Sequence, residues 1–409
     1  MVSGQARSHL ESVVLPFWID RGIDERVGGF FTCFDNRGRQ MVSTDKFTWS
    51  QGRFVWALAR AADLARRGLL SIDAEQSIQW AERGAEFMLE HAVLADHTTR
   101  FVVGREGGAP EVEGQPERSV YADWFVVMGL AELARVSGER RWLDAAMPIL
   151  DRARADHVAG TAPTPPYAVP EGHSAYGPKM ILANTLLVVA QAATELDRHH
   201  HTRDQLAQSL TDVLWHREAD GTFSEMPGPD SASLVHRHRV PGHAIEGLWV
   251  LLESLELLDD ERDRAPLLES VSALCDLGWD PEHGGLLRYT DRTGPTQPTG
   301  TVSGTAYEEL VQSTWSSKLW WVHSEAAATT AIAHRRYGDE RSGGWFERIW
   351  DYTLRTFPGG DDGAEWIQIR DRAGQPLDQV VALPVKDPFH ITRNLMQIVE
   401  LEESAAGAA

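Results

Sequence analysis

Lysine is almost missing from this chain. There are four, Lys46, Lys179, Lys318 and Lys386, among 39 basic residues that are otherwise arginine. Cysteine is scarcer still. Cys33 and Cys275 are too few for a disulfide framework or a thiolate metal site. No apolar run reaches the ~18 residues that a membrane span needs. The opening MVSGQARSHLESVVLPFW has no basic stretch leading into an apolar one, so no secretory leader is expected and the cytoplasm is the expected compartment. Positive charge is in deficit, with 39 basic residues against 60 acidic ones and a net charge of −21, which excludes nucleic acid and anionic membranes as expected partners. Familiar chemical motifs are absent too. There is no GxSxG elbow, no GxxxxGK[ST] phosphate loop, no GxGxxG after a strand and no HExxH. No cofactor is expected.

What remains is an ordinary globular composition: 42% hydrophobic and 24% charged residues over 409 positions, enough for a large core. Tryptophan is abundant at 15, often in polar or glycine-rich surroundings, where indoles either fill a core or line a sugar site. Helical periodicity dominates and predicts twelve helices, at 5–20, 50–67, 73–94, 119–137, 140–155, 177–197, 203–217, 242–258, 262–276, 316–337, 340–356 and 387–402. In the second, Phe54, Val55, Leu58, Ala62 and Leu64 recur at three- and four-residue steps, and Ser50 stands where a cap belongs. The connections at 27–45, 98–115, 283–300 and 363–380 are long and β-like. Three carry turn sequences (FDNRGR, YTDRTG, IRDRAG) that predict inserted hairpins. Long connections precede every even-numbered helix, giving six helical hairpins. With no linker dividing residues 1–409, a single all-α domain is expected. Six hairpins predict a closed (α/α)6 barrel with even-numbered helices inside, an open solenoid being the alternative.

Polar and aromatic residues gather at the starts of the even-numbered helices. Helix 2 opens with Trp49 and Arg53, helix 4 with Tyr121 and Asp123, and helix 6 follows Tyr176. Helix 8 carries His243 and Glu246, helix 10 Trp320, Trp321 and Glu325, and helix 12 His390 and Arg393. Parallel inner helices would bring all six sets to one end of the barrel, where free N–H groups and helix dipoles favour an oxygen-rich ligand. His243 and His390 are the candidate acid–base pair, since imidazole titrates near neutrality. Arg53 and Arg393 are candidates to stabilise an anionic oxygen. A metal is not expected. His236 and His238 share their loop with Arg237 and Arg239, and His199–His201 falls at a helix end. Asp123, Glu246 and Glu325 leave open a two-carboxylate glycosidase.

At these residues the chain resembles the N-acylglucosamine 2-epimerase superfamily, which includes cellobiose 2-epimerases and mannose or sulfoquinovose isomerases. The likeness runs through Gly28-Gly29-Phe30, KFTWSQGR at 46–53, Tyr121-Ala122-Asp123, PGHAIEGLW at 241–249, GWDPEHGGL at 278–286, KLWWVHSEA at 318–326 and KDPFHITR at 386–393. It implies an (α/α)6 barrel. It also implies His243 and His390 as general acid/base catalysts, and Arg53, Glu246, Trp320, Trp321 and Glu325 beside the substrate. On helix 6, Ile181 and Asn184 stand where the mannose isomerase and cellobiose epimerase branches carry His and Glu, which is more like the N-acylglucosamine branch. The function so implied is cofactor-independent 2-epimerisation of a reducing aldose or N-acylhexosamine through an enediolate. Aldose–ketose isomerisation, an (α/α)6 glycoside hydrolase and a non-enzymatic sugar-binding scaffold are the alternatives. The implied partner is a monosaccharide or disaccharide, and a homodimer is the expected assembly.

Overall fold

Small side chains let helices crowd around one axis, and the stretches rich in alanine and glycine do so here. The protein is described by a computed structural model covering residues 2–197, 201–359, 365–378 and 385–406. Its elements begin with α1 (Val2–His9) and α2 (Leu15–Gly22), joined by a π-helical turn, and continue with β1 (Lys46–Phe47), α3 (Thr48–Arg66), α4 (Ala74–Phe87) and β2 (Val102–Val103). Next come α5 (Val120–Ser137), α6 (Arg140–Val158), α7 (Tyr176–Glu195), α8 (Thr202–Leu214), α9 (Leu234–Arg237), β3 (His238–Arg239) and α10 (Pro241–Leu257). The rest are α11 (Ala265–Gly278), β4 (Thr290–Asp291), α12 (Ala306–Thr314), β5 (Lys318–Leu319), α13 (Trp320–Tyr337), α14 (Glu340–Thr356), β6 (Ile369–Arg370) and α15 (Phe389–Ala406).

Helices α3, α5, α7, α10, α13 and α15 pack side by side in chain order, and α15 returns to α3. The ring is therefore closed, as an (α/α)6 barrel requires. Outer helices α4, α6, α8, α11 and α14 each pack on the inner helix before them, and α1 packs on α15. The inner helices are buried nearly all round, as in α13 from Val322 to Ala333. The outer ones are amphipathic: α14 buries Trp345, Phe346, Ile349, Trp350 and Thr353 and exposes its other face. The tightest approach joins α3 and α5. A Cβ on Gly52 would land on the carbonyl of Phe125, and one on Gly129 on the carbonyl of Gly52, so only glycine fits at either point.

The expected local hairpins are present as single antiparallel bridges, Phe34 to Met41, Asp291 to Gly294 and Arg370 to Pro376. The turns exist: Asp35 donates its N–H to Gln40 O at 2.9 Å and Asp371 to Gln375 O at 2.8 Å. The two-residue ladders, however, join different connections. β1 pairs antiparallel with β2, β3 with β4 and β5 with β6. Each ladder ties the residues entering an inner helix to the next long connection, which satisfies backbone groups that no local turn could reach. The short helices α9 and α12 were not anticipated either. A reciprocal capping box between Thr305 and Glu308 starts α12. His199, His200 and parts of the 363–380 segment lie outside the described residues.

Three of the four lysines hold these connections. Lys46 Nζ donates to Asp24 Oδ2 at 3.1 Å and to the Gly28 carbonyl at 2.5 Å. Lys318 repeats the device with Asp280 at 3.1 Å and the Gly284 carbonyl at 2.6 Å. Arg105 and Arg372 complete the two copies on Asp24 and Asp280, at 2.9 and 2.8 Å. Lys386 binds Glu365 at 2.7 Å. These ammonium groups are structural. Each sits just before an inner helix and fixes where that helix begins.

Candidate active site

The starts of all six inner helices open on one cavity of about 450 Å³. Trp49 and Arg53 enter it from α3, Tyr121 and Phe125 from α5, Met180 and Ile181 from α7, His243 and Glu246 from α10, Trp320 and Trp321 from α13, and His390 from α15. The convergence expected from the sequence is thus present for eight of the twelve candidate residues: Trp49, Arg53, Tyr121, His243, Glu246, Trp320, Trp321 and His390.

Each imidazole is held by a carboxylate on the same ring nitrogen. His243 Nδ1 lies 3.0 Å from Glu225 Oε1, and His390 Nδ1 lies 2.7 Å from Glu325 Oε1. A carboxylate there accepts the Nδ1 proton and leaves Nε2 as the ring atom that can take or give a proton. Neither Nε2 has a protein partner among the described residues. The two rings flank one indole. The Trp321 ring centroid is 5.2 Å from that of His243 and 5.6 Å from that of His390.

Burial pulls the His243 pKa down, but the charge and hydrogen bond of Glu225 outweigh it, so the imidazolium is favoured beyond its usual range. Burial would raise the Glu325 carboxyl. Arg393, His390 and Asn394 instead hold it well below the usual carboxylate range. Glu325 also accepts from Trp249 Nε1 at 3.0 Å and Asn394 Nδ2 at 2.8 Å, so it is fixed from several sides.

Arg393 lies behind this layer. Its Nη2 bridges Glu246, at 2.6 Å, and Glu325. Glu246, Glu325 and His390 are the one trio among the described residues spaced to hold a metal ion, and the guanidinium already occupies the position of the cation between the two carboxylates. His236 bonds instead to the Gly228 carbonyl, and His238 to the Val235 carbonyl and the Tyr307 hydroxyl. Arg53 lies over the rings of Trp49, at 4.4 Å, and Phe125, at 4.0 Å, and pairs with Asp387 at 3.1 Å. The other oxygen of Asp387 accepts the His390 N–H at 3.2 Å, so one carboxylate caps α15 and aims the arginine.

Four candidates do not line the cavity. Glu325 and Arg393 are buried just behind it. Asp123 accepts from the N–H and hydroxyl of Thr99, at 2.7 and 2.8 Å, and so pins the connection after α4. Burial, only partly offset by those bonds, pushes its carboxyl up to about 6. Tyr176 is wholly buried against His216 and Phe223. Asn184 lies a turn deeper on α7, at a second cavity lined by residues further along the inner helices. Sequence reasoning missed Glu225, Asp387, Gln368, Arg288 and Tyr307. All but Tyr307 lie outside regular helices, where periodicity marks nothing, and Tyr307 is on the unanticipated α12.

A closed helical toroid with two carboxylate-oriented imidazoles at its helix starts defines an (α/α)6-barrel protein with both rings on one cavity. The chain belongs to the N-acylglucosamine 2-epimerase (GlcNAc 2-epimerase) family, whose sequence profile matches residues 29–393. The N-acylglucosamine 2-epimerase of Bos taurus is 31% identical over 403 residues, covering 95% of this chain and 88% of that protein. Among solved structures, the cellobiose 2-epimerase from Bacillus thermoamylovorans B4167 superposes with a TM-score of 0.77 at 18% identity, over 97% of this chain and 98% of that one. A D-mannose isomerase does so with a TM-score of 0.70 at 16% identity, over 97% of each chain. These two share the fold. No helix among the described residues is long and apolar enough to cross a membrane.

Proposed function

We propose that this chain is a cofactor-independent sugar 2-epimerase acting on a reducing aldose or N-acylhexosamine. The observation that carries the reading is the pair of His–Glu dyads on one cavity, both rings against Trp321. Ring opening exposes the C1 aldehyde, which acidifies the C2 proton. One imidazole removes that proton through Nε2, and the electron pair moves into an enediolate. Arg53 stabilises the oxygen that becomes negative. The other imidazole, present as imidazolium, returns a proton to the opposite face of C2. Favoured imidazolium suits His243 to the donor role in one direction, and the roles exchange in the other. The indoles of Trp49, Trp320 and Trp321 supply apolar faces for the sugar ring. Each carboxylate proposed for a glycosidase pair is engaged elsewhere, Asp123 with Thr99 and Glu246 and Glu325 with Arg393. The reading places a single-domain enzyme in the cytoplasm, assembled as a homodimer.

The test is proton NMR in D2O with mannose, glucose, N-acetylglucosamine, N-acetylmannosamine and cellobiose. Loss of the C2 proton signal with appearance of the 2-epimer is the expected result. A ketose with deuterium at C1 would make the protein an aldose–ketose isomerase instead. No exchange with any of these sugars, nor with hexoses that carry an acidic group, would defeat the two-histidine mechanism.

A further inference from the structure

Positive charge on the cavity wall is paired among the described residues, with one exception. Arg53 faces Asp387 at 3.1 Å, Lys386 faces Glu365 at 2.7 Å, His243 faces Glu225 at 3.0 Å and His390 faces Glu325 at 2.7 Å. Arg288 lines the same wall and is only 7% exposed, yet no carboxylate among the described residues lies within ion-pair reach. Its Nη1 donates to Thr314 Oγ1 at 3.0 Å, and its guanidinium rests 4.8 Å from the centroid of Tyr289. A buried guanidinium held by the Thr314 hydroxyl and by Tyr289, with no carboxylate beside it, is costly unless a counter-charge arrives. It also opposes the imidazolium of His243, so it is not there to assist that ring.

The surroundings favour a ligand. Tyr289, Tyr307 and Tyr167 line the same part of the cavity, and α12 supplies both Tyr307 and the Thr314 that holds the arginine. We propose that Arg288 receives an anionic group of the substrate, a carboxylate, sulfonate or phosphate carried away from C1 and C2. The substrate is then an acidic sugar rather than a neutral one. This rests on the reading of the cavity as a sugar site.

Calorimetric titration tests it without needing turnover. A hexuronate, a hexose 6-phosphate and a 6-deoxy-6-sulfohexose are each compared with the neutral hexose, on the wild-type protein and on Arg288→Gln and Arg288→Lys. At least one acidic sugar is expected to bind about tenfold or more tightly than its neutral parent, as one charge-assisted contact gives. The preference should weaken with salt, vanish in Arg288→Gln and return in part in Arg288→Lys. Equal or tighter binding of every neutral parent by the wild type overturns the proposal whatever the variants do. So does a preference that survives in Arg288→Gln, or an equal fall in kcat for acidic and neutral sugars, which would place Arg288 at the reacting carbons. Preferential binding of acidic sugars without C2 exchange would defeat the epimerase reading and leave this one standing. Exchange confined to neutral sugars would do the reverse.

Discussion

Glu225 holds Nδ1 of His243 at 3.0 Å although the two are 18 positions apart and Glu225 lies in a loop. One carboxylate thereby sets both the tautomer of the ring and the pH at which it carries a proton.

Replacing that carboxylate should move the working pH. In Glu225→Gln, burial acts on His243 with less opposition and its pKa falls. The alkaline limb of the kcat/KM profile should shift to lower pH, with about a tenfold loss of protonated ring for each unit moved. The stability effect has a matching sign. A raised folded pKa stabilises below the ordinary histidine range and is lost as pH rises through the folded value, so the variant should lose its stability chiefly on the acid side. Denaturant titrations at several pH values would check this. An unchanged alkaline limb would remove Glu225 from the proton balance.

The two imidazoles should fail in complementary ways. His243→Ala and His390→Ala should each lower epimerisation by about 100- to 10,000-fold, the span general acid–base catalysis supplies. Each variant keeps the base for one face of C2. One should therefore exchange the C2 proton of one epimer in D2O, and the other that of its partner. Exchange of both epimers by a single variant would require a one-base mechanism.

Arg393 neutralises Glu246 and Glu325 together from within the core. Arg393→Met removes the cation and leaves both carboxylates buried. The expected cost is about 3–5 kcal/mol of folding stability, the usual penalty for breaking a buried ion pair, read by urea denaturation. Activity should fall further than stability explains, because Glu325 also orients His390.

The duplicated lysines should behave alike. Lys318→Met and Lys46→Met each remove a glycine carbonyl's donor and one of two cations on a buried aspartate, while Arg372 and Arg105 still hold the carboxylates, so each should cost about 1–3 kcal/mol. Replacing exposed arginines such as Arg355 should stay within about 0.5 kcal/mol.

Much of this was legible. The inner helices carry their small residues and helix-start polar groups in the sequence, so ring, order and most cavity residues follow from periodicity. The remainder depends on contacts between distant segments. The turn at FDNRGR is visible in its Asp, Asn and Gly, but the pairing of Lys46–Phe47 with Val102–Val103 is set by where two loops meet. Helix α12 buries only Glu308 and Val311, too little apolar pattern to mark it, and its signal was the Thr305–Glu308 box. Asp123 looked like its neighbours at a helix start, yet its carboxylate points to Thr99 and not to the cavity.

The ring closes where the first helix meets the last. His390, Asp387 and Arg393 all belong to that final segment, and Arg53 and Glu325 wait for them on α3 and α13. A ribosome therefore completes the pair of carboxylate-held imidazoles only with the closing helix. A chain halted just before residue 390 has five of the six inner helices and one of the two imidazoles, so on the proposed mechanism incomplete synthesis yields a protein that cannot carry a proton across the sugar.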